Sequence, residues 1–144
     1  MLTLNGYSYP AEIIRVVDGD TINVRVTLAD IDLGFGIHLN QTHDIKLRLA
    51  GINAPETSTK EGKTAADVLT KWLPVGGTCT VVTVKDRTEK YGRYLAWVYA
   101  DLDVKDATDS PWVCVNDLLI AEGYAVFYNP SGIKKPDWDG LIHL

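Results

Sequence analysis

The chain has 144 residues, a length that suits one domain burying roughly 70% of its unfolded surface. It contains no apolar run near the ~20 residues that a membrane-spanning helix needs. Its 14 basic and 19 acidic residues give a net charge of −5. This balance argues against a large basic footprint on nucleic acid, but not against a local site where a cation and a few arginines meet phosphate.

The beginning of the sequence and its cysteines bear on location and redox state. Residues 1–10 have neither a basic start nor an apolar segment, so they do not resemble a signal peptide. We expect an intracellular monomer that does not bind membranes, or a secreted protein if a signal has been removed. Cys79 and Cys114 are too few for a disulfide framework. Both lie in strand-like segments, so we expect buried free thiols.

The first half of the chain is dominated by strand patterns. Residues 12–17 are rich in β-forming types, and an Asp-Gly-Asp turn follows at 18–20. Apolar and polar residues then alternate over 21–28, which is the period of a half-buried strand. A second alternation covers 31–39 and includes two glycines, which indicate a bulge or a tight bend. A third apolar face runs through 45–49.

The second half mixes helices and strands. Apolar residues at helical spacing predict a helix over 58–73, with Ser58 or Thr59 as its cap. Residues 78–85 and 93–100 are predicted strands. A short helix should follow, with Asn116 as N-cap, 117–122 as its body and Gly123 as its stop. The tail, 129–144, is predicted to be irregular.

This order of elements predicts a mainly β protein with helices (α+β), built as a five-stranded OB-fold Greek-key barrel. One helix follows the third strand, and a short helix lies near the C-terminal end. We expect a single domain over 1–144.

Three polar segments could carry chemistry, although each also has a simpler explanation. Asp20 shares the parity of Ile22 and Val24, so its carboxylate should point to the apolar side, where it needs an ion or a metal as partner. Alternatively, Asp18 to Asp20 form only a hairpin turn. Arg48 could lie on a solvated strand face and Glu56 could favour a helix dipole. The segment 86–93 would ordinarily be a solvated, charged hairpin.

Taken together and in order, these segments resemble one family. Asp18-Gly19-Asp20-Thr21, then Arg48 with Ala54-Pro55-Glu56, then Lys90-Tyr91-Gly92-Arg93 are similar to the signature of staphylococcal nuclease-like (thermonuclease) domains. The resemblance covers roughly residues 11–128. It implies an OB-fold barrel whose rim holds one divalent cation: Ca²⁺ in the best-known members, with Mg²⁺ or another divalent ion as the alternative.

The resemblance also implies a role for each matching residue. Asp20, Asn53 and the backbone carbonyl of Ala54 would bind the metal, with Asp18 and Thr21 supporting them. Arg48 and Arg93 would hold the scissile phosphate of DNA or RNA, and Glu56 would activate the attacking water. The possible substrate contacts are Tyr91 and Tyr128.

The sequence departs from the family pattern in four places. Asn53 stands where the well-known members carry aspartate, so we expect weaker metal affinity. Ala54 replaces a threonine, which should matter little if only its backbone oxygen binds. The longer segment 27–44 is expected to extend a hairpin over the site. The long closing helix of the family is expected to be absent from 130–144.

Three hypotheses about function follow. The first is a divalent-cation-dependent nuclease acting on DNA or RNA. The alternative is a catalytically weak or inactive OB-type module that binds nucleic acid or protein. A structural or inhibitory protein is the third. Retention of Asp20, Arg48, Glu56 and Arg93 together favours the enzyme, because a binding module has no physical need to keep all four.

Overall fold

A computed structural model describes residues 6–88, 94–102, 112–129, 132 and 135. Within these residues the chain forms eight strands and two helices. In chain order they are β1 (Gly6–Asp18), β2 (Thr21–Gly34), β3 (Ile37–Leu49), β4 (Ile52–Asn53), α1 (Lys60–Trp72), β5 (Thr78–Thr88), β6 (Tyr94–Asp101), β7 (Trp112–Cys114), α2 (Val115–Ala121) and β8 (Val126–Phe127).

Five of the strands close into a barrel. The antiparallel pairs are β1 with β2, β2 with β3, β1 with β5, and β5 with β6. Parallel pairing of β3 with β6, from Leu47 opposite Tyr94 to Leu49 opposite Ala96, joins the two ends of the sheet. This confirms the predicted five-stranded barrel with one helix after its third long strand.

The barrel interior is filled by the apolar positions of the alternating strands. Along β2, Ile22, Val24 and Val26 are buried, and Leu47 and Leu49 face them from β3. Helix α1 adds Leu69, and Leu73 just beyond the helix joins the same cluster. Each such side chain contributes about 1.5–3 kcal/mol when it leaves water, so the alternation read from the sequence is the main determinant of the barrel.

The N-terminal end of α1 is capped as the sequence predicts. Thr59 is the N-cap, and its hydroxyl accepts a hydrogen bond from the amide of Gly62. The buried face of the helix carries Gly62, Ala65 and Leu69 at helical spacing.

The predicted start of the second helix is wrong. Helix α2 begins at Val115 with Cys114 as its N-cap, so Asn116 lies inside the first turn, fully buried. The Asn116 amide group donates to the carbonyl oxygens of Ala50 (2.8 Å) and Ala96 (3.1 Å). Its oxygen accepts from the amide of Val98 (3.0 Å). Asn116 therefore holds the end of β3 against β6 instead of capping a helix.

The alternation over 31–39 belongs to two strands, not one. The chain reverses at Gly34, Phe35 and Gly36, which have φ values of 84°, 55° and 77°; positive φ is a conformation that glycine adopts without strain. Beyond the barrel, residues 27–44 continue as a two-stranded arm.

The tip of the arm lies at the opposite end of the β2–β3 hairpin from the predicted site. Thr21 pairs with Arg48 at one end of the β2–β3 hairpin, and Gly34 pairs with Ile37 at the other. Because β2 has 14 residues, its two ends are about 45 Å apart along the strand. The extension of this hairpin over the site therefore stays a prediction.

The cysteines, the end of β5 and the C-terminal tail can also be compared with the sequence predictions. Cys79 and Cys114 are buried free thiols, as expected. Burial raises the pKa of Cys79 to about 12 and that of Cys114 to about 11. Strand β5 continues through Thr88, past the predicted end at 85. The predicted absence of a closing helix falls largely outside the described residues. Among the described helices, none is long and apolar enough to cross a bilayer.

Candidate active site

Asp20 lies at the centre of the candidate site, immediately before β2. Its side chain is buried, as the strand parity predicts, with 7% of the residue exposed. Oδ1 accepts from the hydroxyl of Thr21 (3.2 Å), and Oδ2 accepts from the amide of Ala54 (2.9 Å). The Asp20 carbonyl accepts from the amide of Leu49 (2.8 Å). Asp20 therefore ties the β1–β2 turn to the end of β3 and to the loop that follows it.

The surroundings of Asp20 make its carboxylate an unusually weak acid. Burial is the largest cause, and the neighbouring carboxyl of Asp18 acts in the same direction. The amide of Ala54 and the positive charge of Arg48 oppose this effect. The net result raises the pKa of Asp20 from 3.8 to about 6. An additional cation near this carboxylate would favour its ionised form.

Arg48 points over this carboxylate and not into solvent. Its Nη1 lies 3.1 Å from Oδ2 of Asp20, and only 13% of the arginine side chain is exposed. Its Nη2 donates to Oδ1 of Asn53 at 3.4 Å. The simpler explanation of Arg48 as a solvated strand residue is therefore wrong. The guanidinium group bridges the β1–β2 turn and the loop after β3.

The loop that carries Asn53 and Glu56 is shaped by close packing. Gly51 has a φ of 77°, and a Cβ atom there would lie 2.9 Å from the ring of Trp97. The chain then passes through β4, where Asn53 pairs with Val126 of β8. The side chain of Glu56 is exposed, whereas its carbonyl accepts from the amide of Thr59 (2.9 Å) and from the Thr59 hydroxyl (2.7 Å).

Two exposed aromatic residues lie in or next to β8, the strand that pairs with β4. Tyr128 is 52% exposed, and its amide donates to the carbonyl of Gly51 at 2.9 Å. Phe127, which pairs with Ile52, is 72% exposed. Phe127 is not among the predicted site residues, because it reaches this corner through the pairing of β8 with β4, which no local sequence pattern indicates. Tyr124, in contrast, packs edge-on against Trp72 with ring centres 6.3 Å apart.

The structure brings together most of the predicted site residues. Contacts or pairing link Asp18, Asp20, Thr21, Arg48, Asn53, Ala54 and Tyr128 to this corner of the barrel. Glu56 follows Ala54 in the same loop. Arg93 and Tyr91 lie outside the described residues, so their predicted roles stay predictions.

The side-chain groups at this corner that could bind a metal are all oxygens: the carboxylates of Asp18 and Asp20 and the amide oxygen of Asn53. Hard divalent cations such as Ca²⁺ and Mg²⁺ prefer such ligands, and Mg²⁺ commonly keeps several waters. Within the described part of the chain, no group of three or more His, Cys, Asp or Glu side chains could enclose a metal. In the structure, two of these oxygens, Asp20 Oδ2 and Asn53 Oδ1, lie against the guanidinium group of Arg48.

Comparison with known sequences identifies the family. The profile described as staphylococcal nuclease homologue matches residues 46–139. The chain belongs to the staphylococcal nuclease family. The matched range includes Arg48, Glu56 and Arg93 but begins after Asp20.

Individual relatives carry names in keeping with this family. A micrococcal nuclease from Shigella flexneri is 30% identical over 124 residues, which are 86% of this chain and 61% of the relative. Endonuclease Htp3 from Saprolegnia parasitica is 31% identical over 129 residues, covering 84% of this chain and 56% of the relative. An uncharacterized endonuclease from Escherichia coli O157:H7 is 33% identical over 88 residues, which are 61% of this chain and 46% of the relative. The chain thus spans roughly half to three-fifths of these staphylococcal nuclease relatives.

Proposed function

We propose that this protein is a divalent-cation-dependent nuclease that hydrolyses phosphodiester bonds of DNA, RNA or both. The observation that carries the proposal is the arrangement of Asp20 and Arg48. A buried carboxylate and a largely buried guanidinium group meet at the barrel rim, 3.1 Å apart, in a member of a family that includes relatives named as nucleases.

Arg48 is proposed to bind the scissile phosphate together with Arg93. An arginine fork can donate to two phosphate oxygens at once. Its charge also stabilises the extra negative charge of a five-coordinate transition state. Asp20 and Asn53 already hold Arg48 at the rim in the absence of substrate. On binding, its guanidinium group would exchange these contacts for the phosphate, which leaves both oxygens for the metal.

Glu56 is proposed to take a proton from the attacking water. Glu56 lies two residues after Ala54, whose amide donates to Oδ2 of Asp20, and its side chain is exposed. General-base assistance of this kind contributes typically ~10²–10⁴-fold to a rate. The anchored Glu56 carbonyl fixes the start of the side chain, while the carboxylate remains free to reach solvent.

The metal would be held by Asp20, Asn53 and the backbone carbonyl of Ala54, with Asp18 and Thr21 supporting them. When bound, a hard cation neutralises charge on a phosphate oxygen and polarises the phosphorus centre. Ca²⁺ is the proposed ion, with Mg²⁺ as the alternative. Because the Asn53 amide brings no charge, the site is proposed to bind a cation more weakly than a site with aspartate at this position.

The test is a cleavage assay with single-stranded DNA, double-stranded DNA and RNA, each in Ca²⁺, Mg²⁺ or EDTA. We expect cleavage by the wild type only when a divalent cation is present. The isosteric Glu56→Gln variant should lose at least about 100-fold of the rate. The Glu61→Gln variant, an exposed glutamate in the first turn of α1, is the matched control and should cleave normally.

A binding module is the second candidate, and Asn53 is the observation that favours it. Loss of a charged ligand would weaken metal binding, while the arginines could still hold phosphate. Absence of cleavage in every condition, combined with a gel shift of an oligonucleotide in EDTA, would support this candidate over the enzyme.

A further inference from the structure

We propose that the first turn of α1, acting through Gly62 and Thr59, positions Glu56 relative to Asp20. Gly62 is thus assigned as a positioning residue of the site. This inference rests on the catalytic role proposed for Glu56. Helix α1 approaches the loop that carries Glu56 very closely. In the proposed mechanism, Gly62 and Thr59 contact neither the phosphate nor the metal ligands.

Gly62 permits an approach that any other residue would prevent. A Cβ atom at position 62 would lie 1.7 Å from the carbonyl oxygen of Glu56, 2.3 Å from its carbonyl carbon and 2.8 Å from the carbonyl oxygen of Pro55. All three atoms are backbone, so no rotation of a flexible side chain can relieve the clash. To accept a methyl group at 62, the Glu56 peptide or the helix must move by about 1 Å or more.

Thr59 holds the same peptide from the other side. Its amide (2.9 Å) and its hydroxyl (2.7 Å) both donate to the carbonyl of Glu56. The Thr59 hydroxyl in turn accepts from the amide of Gly62 at 3.0 Å. The cap of the helix and the anchor of Glu56 are therefore one hydrogen-bonded unit. Three residues separate Glu56 from α1, which leaves little slack between them.

The same helix also contacts the turn that leads to Asp20. Gly19 is buried, and a Cβ atom there would lie 2.8 Å from Cβ of Ala65 and 2.9 Å from Cβ of Ala54. Ala65 lies one turn after Gly62 on the same buried face of α1. Helix α1 thus touches the Asp20 turn with one residue and the Glu56 peptide with another. It therefore sets the spacing between the Asp20 turn and the backbone of Glu56.

The consequence for catalysis is a loss of rate without a loss of substrate binding. A displacement of about 1 Å of a catalytic group can lower a rate by about 100-fold. The contacts of Arg48 with Asp20 and Asn53 do not involve Gly62. We therefore expect Gly62→Ala to lower kcat by about 100-fold and to leave KM for an oligonucleotide within about twofold.

The matched control is Gly77→Ala. A Cβ atom at 77 would also meet a backbone carbonyl, that of Pro74, at 2.9 Å. This control therefore introduces backbone strain at the far end of α1 and should keep kcat. A second pair keeps the test decisive if Gly62→Ala does not fold. Thr59→Ser retains the hydroxyl and should match the wild type, whereas Thr59→Ala should lose about tenfold in kcat.

The experiment measures kcat and KM for these variants beside wild type and Glu56→Gln, with circular dichroism to verify folding. A folded Gly62→Ala variant with unchanged kcat, or a Thr59→Ala variant equal to Thr59→Ser, would overturn the inference while the proposed nuclease stands. A rise in KM with an unchanged kcat would also overturn the inference. Wild-type protein that cleaves nothing would overturn the proposed function, and with it the role assigned to Gly62.

Discussion

Replacement of Asn116 by alanine should destabilise the barrel strongly. The substitution removes the donor that the side chain offers to the carbonyl of Ala50 and the acceptor that it offers to the amide of Val98. The carbonyl of Ala96 keeps a hydrogen bond from the amide of Ala50 at 2.8 Å. Two buried backbone groups therefore lose a partner at a position with 0% exposure.

The expected magnitude follows from these two groups. Each buried polar group left without a partner lowers stability by about 1–3 kcal/mol. Because some relaxation occurs, we expect a total near 3 kcal/mol, which is a large part of the ~5–15 kcal/mol that holds a domain together. In a domain of this size, that loss corresponds to a fall of about 10 °C in Tm.

Urea titration followed by circular dichroism measures the effect. Thr64→Ala is the control, because Thr64 is exposed and its hydroxyl donates to the carbonyl of Lys60 one turn back in α1. It should change the free energy of unfolding by no more than about 0.5 kcal/mol. An Asn116→Ala protein as stable as this control would refute the conclusion that Asn116 fastens β3 to β6.

Replacing residues 32–38 by a two-residue turn should leave the cleavage rate within about twofold, because the arm ends about 45 Å along β2 from Asp20; a large change in rate would show that the arm reaches the substrate. Iodoacetamide at pH 8 should modify Cys79 and Cys114 far more slowly in the folded protein than in urea, because their raised pKa keeps them as neutral thiols; equal rates would contradict their burial. Arg48→Lys should lower kcat by about 10²–10³-fold, since one ammonium cannot replace the fork that spans Asp20 and Asn53; wild-type kinetics would show that charge alone suffices.

Local patterns predicted much of the fold. The alternation around Ile22 and Val24 places a strand face in the barrel interior, and it also places Asp20 among buried residues. The α1 cap at Thr59 and the stop at Gly123, whose φ is 83°, follow from local preferences of these residue types. These features depend on neighbours in sequence, which is why the sequence alone predicts them.

The failures involve residues whose partners are distant. Asn116 has the side chain of a helix cap, but the groups it binds lie 18 to 66 residues away, and tertiary contacts override the local preference. The alternation over 31–39 continues through the turn at Phe35, because both strands of a hairpin keep the same parity. The meeting of Asp20 with Ala54, 34 residues apart, was predictable only through the family resemblance. The tight packing of Gly62 against Glu56 had no signal in the sequence.

The parallel pairing that closes the barrel has a consequence for synthesis on the ribosome. Strand β3 ends at Leu49, but its partner β6 extends to Asp101. At ~5–20 residues per second, the closing strand emerges about 3–10 s after β3. During that interval, the β1–β2–β3 sheet exposes an apolar face and two open edges, which are templates for pairing with other chains. The nascent chain should therefore engage chaperones most strongly before β6 has left the exit tunnel.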